Sequence, residues 1–93
     1  MHAVLVLCAD GQLLARGFDH REAADAFFTQ VSGAVLSTTA VKLENEVREL
    51  KFGWLVNVEG ADSPDSAAAA AKSGQGEILA STVEREDEGG PRA

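Results

Sequence analysis

The chain has 93 residues, of which 45% are apolar and 25% are charged, proportions that are typical of a globular protein. Eight basic residues against fifteen acidic ones give a formal charge of −7, and this balance argues against partners that are nucleic acids or anionic membranes, since both require an excess of Lys and Arg. No apolar run reaches the ~18 residues of a membrane span. Residues 3–9 are too short and follow no basic region, so they do not resemble a signal peptide, and we expect a cytoplasmic protein.

Two strands joined by a tight turn are the first predicted elements. Residues 3–8 are rich in Val and Leu, and the Asp10-Gly11 pair that follows is a strong two-residue hairpin signal. Such a turn would place Cys8 opposite Leu13. One face of the hairpin would then carry four large apolar side chains, Leu5, Leu7, Leu14 and Phe18. Since both faces are apolar, we expect a cover beyond one helix, which the C-terminal tail, a twin subunit or another protein could supply.

An amphipathic helix is predicted after this hairpin. Asp19 is a suitable N-cap residue, and Glu22 stands three residues later, at the spacing of a capping box. Gly33 suits the left-handed position that ends many helices. Between these ends one helix face is apolar, with Ala23, Ala24, Phe27, Phe28 and Val31.

Residues 34–59 fit two interpretations. The first is a hairpin with a tight turn at Asn45-Glu46, which would pair Lys42 with Glu49, a favourable cross-strand contact. Residues 50–58 alternate between apolar and other side chains with a period close to two, and this alternation favours the hairpin.

The second interpretation is a helix with a heptad pattern, because residues 43–51, LENEVRELK, resemble a leucine-zipper segment of dimeric transcription factors. No basic DNA-binding region precedes this segment, and Ser37-Thr38-Thr39 is a poor stretch for a zipper. The alternative to the hairpin is therefore a short helix over residues 40–51 followed by an edge strand. Either interpretation predicts an α+β fold.

Residues 61–93 differ in composition from the rest of the chain. They contain both prolines, an alanine run and a charged end, but no aromatic residue. Such a segment has little to bury, so we expect a flexible acidic and alanine-rich tail. Within it, Ser63-Pro64 reads as the start of a short local helix that would stop near Gly74. The predicted organisation is one ββαββ domain over residues 1–60, a small antiparallel sheet with one amphipathic helix on one face.

The residues that could support catalysis or metal binding are few. Cys8 lies in an apolar strand, where a cysteine usually only packs, and a single cysteine allows neither an internal disulfide nor a multi-cysteine zinc site. His20 lies in the first turn of the helix among charged residues and is expected to be a solvated surface side chain. We predict no catalytic residue, no metal site and no cofactor.

The predicted function is a non-enzymatic protein-protein interaction module. Its partner is either another protein, for which the acidic charge favours a basic one, or a second copy of the chain in a homodimer. A more specific version is an inhibitor of the kind that phages and mobile elements encode, an anti-CRISPR-like mimic of nucleic acid. A structural or assembly component that forms homo-oligomers is a further alternative, and a minimal enzyme is the least favoured. The candidate interface combines apolar side chains with an acidic group, namely Leu5, Leu7, Leu14, Phe18, Trp54, Glu44, Glu46 and Glu49.

Overall fold

The computed structural model describes residues 1–82 and confirms the α+β class. Its elements in chain order are β1 (His2–Cys8), β2 (Leu13–Phe18), α1 (Arg21–Ser37), β3 (Val41–Leu43), β4 (Glu46–Arg48), β5 (Leu50–Asn57), α2 (Pro64–Lys72) and β6 (Glu77–Ser81). Four strands form an antiparallel sheet in the order β2-β1-β5-β6, and β3 and β4 form a separate two-stranded sheet. Between residues 1 and 82, neither helix has the length and apolar character needed to cross a bilayer.

The turn between β1 and β2 is longer than two residues. The Cys8 N–H donates to the Gln12 carbonyl at 2.8 Å, so these two residues face each other across the turn. Asp10 Oδ1 accepts a hydrogen bond from the Gln12 N–H at 3.0 Å and holds the turn from inside. The predicted pairing of Cys8 with Leu13 is therefore wrong by one residue.

This slip of one residue decides which side chains share a face of the sheet. Val6 pairs with Leu14, and both lie in the apolar cluster beneath α1. Phe18 packs against the same cluster. Leu5 and Leu7 point to the opposite face, because successive side chains alternate along a strand. The predicted grouping of all four large side chains on one face is wrong for the same reason, since a slip of one residue moves a whole strand's side chains to the other side.

The start of α1 uses no side-chain cap. The N-cap residue is His20 rather than Asp19, and it has an extended backbone with no capping hydrogen bond from its side chain. The capping box predicted for Asp19 and Glu22 is therefore not formed. Glu22 still lies in the first turn of α1, where its negative charge favours the helix dipole.

At its other end, α1 continues past Gly33 to Ser37, so the predicted end is wrong by one turn. Ala34 and Val35 are buried in the cluster beneath the helix, and their burial extends the apolar stripe by that turn. Thr38 takes the left-handed conformation that was expected of Gly33, with φ of 52°, and its N–H donates to the Val35 carbonyl at 3.3 Å.

The middle of the chain forms a shorter hairpin than predicted. Its turn is Glu44-Asn45, with φ of 52° and 67°, and not Asn45-Glu46. Lys42 therefore pairs with Val47 instead of Glu49. The alternative helix over residues 40–51 is also wrong, since two successive left-handed residues interrupt any helix there.

The predicted hairpin would pair β5 with residues 35–41, but β5 pairs with β1 and β6. In this position β5 has a neighbour on both edges, which pairs its backbone groups more completely than one short hairpin partner could. The strong alternation of residues 50–58 thus predicted the strand correctly but did not reveal its partners.

The fold extends beyond Gly60, so the predicted end of the folded domain is corrected to Thr82 at the least. The start of α2 agrees with the sequence, because Ser63 Oγ accepts from the Ser66 N–H at 3.1 Å and Pro64 opens the helix. The helix packs on β2 and β1, and β6 pairs with β5. The rest of the predicted tail, residues 83–93, lies outside the described residues.

Small side chains explain how an alanine-rich segment joins the core. Ala67 and Ala71 are buried on the underside of α2, and they allow the helix to approach the sheet closely. Gly17 of β2 also permits this approach, because the backbone of Pro64 occupies the space that a Cβ of residue 17 would fill. The absence of aromatic residues after Gly60 therefore did not indicate an unfolded segment, since close packing of small groups also buries apolar surface.

The sheet separates two apolar clusters. The first lies beneath α1 and contains Val4, Val6, Cys8, Leu14, Ala24, Val31, Ala34, Val35, Leu50 and Leu55. The second lies on the α2 side and contains Ala3, Val56, Val58, Ala67 and Ala71. Gly53 lets Val31 of α1 approach β5, and its N–H donates to the buried Thr82 Oγ1 at 3.1 Å, so the last described residue is tied to the centre of the sheet.

Candidate protein-binding surface

The α2 side of the sheet is only partly covered. The helix lies on β2 and β1, and Gly76 lies against Val56 and Val58 near the end of β5. Within residues 1–82, β5 and β6 make few contacts with α2, although Trp54 of β5 packs against the cluster that contains Ala67 and Ala71. The segment that contains α2 thus covers part of the second apolar face of the β1–β2 hairpin.

The uncovered region carries large apolar side chains from three neighbouring strands. Register places Leu5 beside Trp54 and Leu7 beside Phe52, and Ile78 of β6 lies opposite Val56 on the same side. We call this set the open surface: Leu5, Leu7, Phe52, Trp54 and Ile78. Ile78 is 57% exposed, and the other four are partly exposed.

Ring packing gives the open surface a defined shape. The Phe52 and Trp54 ring centroids are 6.0 Å apart with planes inclined by 51°, a geometry within the favourable range for aromatic pairs. The Lys51 ammonium lies 5.8 Å from the centre of the Phe52 ring and marks one border of the surface. Leu13 of β2, directly opposite Leu7, continues the apolar row on the other border.

Three of the predicted apolar interface residues belong to the open surface, namely Leu5, Leu7 and Trp54. The other two do not, because Leu14 is buried beneath α1 and Phe18 packs there against Phe27, with ring centroids 5.6 Å apart. The structure therefore divides the predicted apolar group between the two faces of the sheet.

The predicted interface included neither Phe52 nor Ile78. The signal for Phe52 was present, since it lies two residues before Trp54 in the alternating strand and so shares its face. No local signal places Ile78, because its position depends on the pairing of β6 with β5 and on the irregular register between Leu55 and Val56.

The predicted acidic residues lie around the small β3–β4 hairpin and not on one surface. Glu44 borders a groove on the α1 side of the sheet. Glu46 and Glu49 border a cleft that also contains Asp10. Glu46 accepts a hydrogen bond from Arg48 at 2.9 Å, so part of its charge is already paired.

The groove on the α1 side is lined mainly by apolar residues, Val4, Val6, Leu14, Ala15, Phe27 and Leu43, with Arg16 and Glu44 at its border. Its volume of about 50 Å³ is far below the ~300 Å³ at which sites for small molecules begin. The Arg16 guanidinium lies 5.5 Å from the Phe18 ring centre and 5.3 Å from that of Phe27, so the cation is held by the aromatic rings beside the groove.

Two titratable groups have shifted pKa values, the buried Cys8 and the half-buried His2. Burial raises the pKa of the Cys8 thiol, and the neighbouring Arg48 guanidinium opposes this only in part. A thiol with a raised pKa holds little thiolate at neutral pH and is a weak nucleophile. Burial also lowers the pKa of His2, with a further contribution from the N-terminal ammonium. In the described part of the chain, no group of three or more His, Cys, Asp or Glu side chains is arranged to hold a metal ion.

No significant match to this chain is found among protein-family models, curated proteins or solved structures.

Proposed function

We propose that this protein is a non-enzymatic protein-protein interaction module that binds its partner through the open surface. One observation carries the proposal: large, partly exposed apolar side chains from β1, β5 and β6 meet on a part of the sheet that α2 covers incompletely. Contiguous apolar surface of this kind, with aromatic residues and few charges, is characteristic of the centre of protein interfaces.

The chemistry of the open surface limits what can bind there. All five side chains are apolar, and two of them are aromatic residues of the type that often contribute most to binding. The fitting partner surface is therefore a protein element that is itself apolar and uncharged. A small polar ligand would lose its hydrogen bonds to water there without gaining others in return.

The size of the open surface predicts modest affinity. Full burial of a large apolar side chain contributes ~1.5–3 kcal/mol. Since most of the five side chains are already largely buried, covering what is still exposed contributes roughly 2–4 kcal/mol in total. Association itself costs at least ~4 kcal/mol in lost freedom of motion. The partner must therefore also contact groups beside the open surface, and we expect a transient complex.

We assign the protein no catalytic role. The positions of the protein's reactive side chains support this assignment. The thiol of Cys8 is buried beneath α1 and has a raised pKa, and His2 and His20 lie outside the open surface.

The test compares two exposed aliphatic residues on opposite faces of the fold. Ile78→Lys places a charge on the open surface, and Leu36→Lys is the matched control on α1, where Leu36 is 49% exposed. Proteins retained by the immobilised wild-type chain are identified, purified and titrated against all three forms. We expect Ile78→Lys to weaken binding by at least about tenfold and Leu36→Lys to leave it unchanged. Equal affinity for both variants would exclude the open surface as the binding site.

Trp54 supplies an independent readout, because it is the only tryptophan and the chain has no tyrosine. Its fluorescence should be quenched by acrylamide in the free protein and protected in the complex. Unchanged quenching on saturation with a partner would show that the partner binds elsewhere.

A further inference from the structure

We propose that the partner binds as an extended strand, which pairs antiparallel with the outer edge of β6 and places a Lys or Arg beside Glu59 and Glu77. The inference rests on the proposed function and names the form and the chemistry of the partner. It follows from the position of β6, which lies at the end of the four-stranded sheet and has no strand on its outer side within residues 1–82.

The two edges of this sheet differ in how well they are protected. Edge strands expose unpaired backbone groups, and proteins usually protect them with charged residues, prolines or a covering element. At one edge, β2 carries Arg16 near its centre and packs against α2. At the other edge, β6 has the sequence EILAS, in which the only charged residue is Glu77 at the first position. An added strand therefore meets less protection at β6.

The strand β6 also exposes two adjacent apolar side chains. Ile78 is 57% exposed and Leu79 is 37% exposed. A β-bulge lies here, because the pairing of β6 with β5 skips Leu79. The backbone of Leu79 is therefore left unpaired in the ladder between β5 and β6, and it is open to a strand on the outer side.

Strand addition supplies the contacts that the open surface lacks. Apolar contact there is too small by itself to offset the loss of freedom on association. Main-chain hydrogen bonds along β6 add to it, and complexes formed by strand addition generally gain affinity from these bonds and specificity from alternate side chains. Because Ile78 belongs to the open surface, every second side chain of the added strand would extend the same apolar face.

A cleft at the beginning of β6 determines the charge of the partner. It has a volume of about 310 Å³ and is lined by Asn57, Val58, Glu59, Gln75, Gly76 and Glu77. Both glutamates are exposed, and the described residues that line the cleft include no Lys or Arg. The two carboxylates therefore favour a cationic side chain, which the net charge of −7 also attracts.

The direction of the added strand decides where this cation lies in the partner. Every pairing within the four-stranded sheet is antiparallel, and antiparallel pairing is slightly the more stable of the two kinds. Since Glu77 is the first residue of β6, an antiparallel partner reaches it at the end of its own paired segment. The partner segment is therefore an alternating apolar stretch followed, on its C-terminal side, by Lys or Arg.

Two synthetic peptides test this arrangement against the full chain. The probe peptide contains three Thr-Val repeats followed by two lysines, and the reversed peptide carries the two lysines before the repeats; both have blocked ends. We expect the probe peptide to bind with a dissociation constant below about 1 mM and at least about threefold more tightly than the reversed peptide. Absence of binding at this concentration would overturn the proposal, and equal affinity of the two peptides would refute the position of the cation.

Backbone methylation distinguishes strand addition from apolar docking on the face of the sheet. Along an added edge strand, the N–H groups of alternate residues point to β6 and the others point to solvent. N-methylation of either all valines or all threonines should therefore weaken binding by at least about tenfold, and methylation of the other set should leave it nearly unchanged. If both methylated peptides bind as the probe peptide does, the added segment does not pair with β6 and the proposal fails.

Variants of the chain test the apolar and the acidic contacts separately. Ile78→Lys should weaken binding of the probe peptide by at least about tenfold, and Leu36→Lys should leave it unchanged. Glu77→Lys should weaken it roughly two- to fivefold at low salt. Its control is Glu49→Lys, which changes the net charge equally but lies at the opposite end of β5. Equal weakening by the two charge reversals would show that net charge alone attracts the peptide and would refute the cationic site.

Hydrogen exchange separates this inference from the proposed function. In a complex formed by strand addition, amides within residues 77–81 should gain protection. A partner protein whose binding is lost in Ile78→Lys, but which adds no protection to these amides, would refute strand addition and support the proposed function. A partner that is insensitive to Ile78→Lys and protects none of these amides would refute both.

Discussion

The close contact between α2 and β2 can be tested by the substitution Gly17→Ala. A Cβ atom at residue 17 would overlap the carbonyl oxygen, carbonyl carbon and Cα of Pro64. All three are backbone atoms, so the conflict cannot be relieved by rotating a side chain. Either the strand and helix remain in place under strain, or the start of α2 moves away from the sheet.

Both routes predict a similar loss of stability. Overpacking against a fixed backbone costs about 1–3 kcal/mol. If α2 moves instead, the buried methyl groups of Ala67 and Ala71 become exposed, at ~0.8 kcal/mol each, and contacts around Pro64 are lost as well. Replacing glycine restricts the unfolded chain and returns ~0.4–1 kcal/mol. We expect a net destabilisation of about 0.5–2.5 kcal/mol, which corresponds to a decrease in Tm of roughly 2–20 °C for a domain of this size.

Thermal and urea unfolding measure this effect, with Gly33→Ala as the control. Gly33 is an exposed residue inside α1, and a Cβ there would meet no atom within 4 Å. Because alanine is the better helix former, the control should gain ~0.5–1 kcal/mol. The two glycine-to-alanine changes should thus shift stability in opposite directions. If Gly17→Ala unfolds at or above the wild-type temperature, α2 does not pack on β2 as described.

Three other predictions follow from the burial of single groups and elements. Thr82→Val should lower the free energy of unfolding by ~1–3 kcal/mol, because the buried Gly53 N–H loses its acceptor. Urea unfolding measures this change, and an unchanged midpoint would contradict the hydrogen bond. Burial lowers the pKa of His2 from its usual 6.5, so protonation of His2 favours the unfolded state. Stability should therefore be highest above pH 6.5 and should decrease as the pH falls through the lower pKa of the folded state. His2→Gln should flatten this pH dependence of stability, and identical profiles for wild type and variant would show that His2 is not responsible. A chain that ends at Gly60 should lose its cooperative thermal transition, because it lacks α2 and β6; a sharp transition would show that both elements are dispensable.

Of the predicted interface residues, the structure places Leu5, Leu7 and Trp54 on one face of the sheet, whereas the sequence had grouped Leu5 and Leu7 with Leu14 and Phe18. The cause was a single assumption about the turn at Asp10, which determines the register of the whole hairpin. Turn length is decided by hydrogen bonds such as that from the Gln12 N–H to Asp10, and a two-residue signal does not exclude the longer turn.

The α+β class, the strands β1, β2 and β5, the position of α1 and the start of α2 at Ser63-Pro64 could all be predicted from the sequence. Each depends on interactions between residues that are close in the chain, such as apolar periodicity, a capping hydroxyl and a proline in the first turn. The need for a second cover over the apolar hairpin could also be predicted, because it requires only that both faces be apolar.

Tertiary structure alone decided which elements meet. It placed β5 between β1 and β6, carried α1 on to Ser37, and brought the alanines of α2 onto β2 and β1. No local sequence pattern marks these contacts, because each joins segments that are distant in the chain. They depend on how completely the backbone groups are paired. They also depend on how closely small residues such as Gly17 let two backbones approach. The open surface follows from the same contacts, since α2, once packed on β2 and β1, covers it only in part.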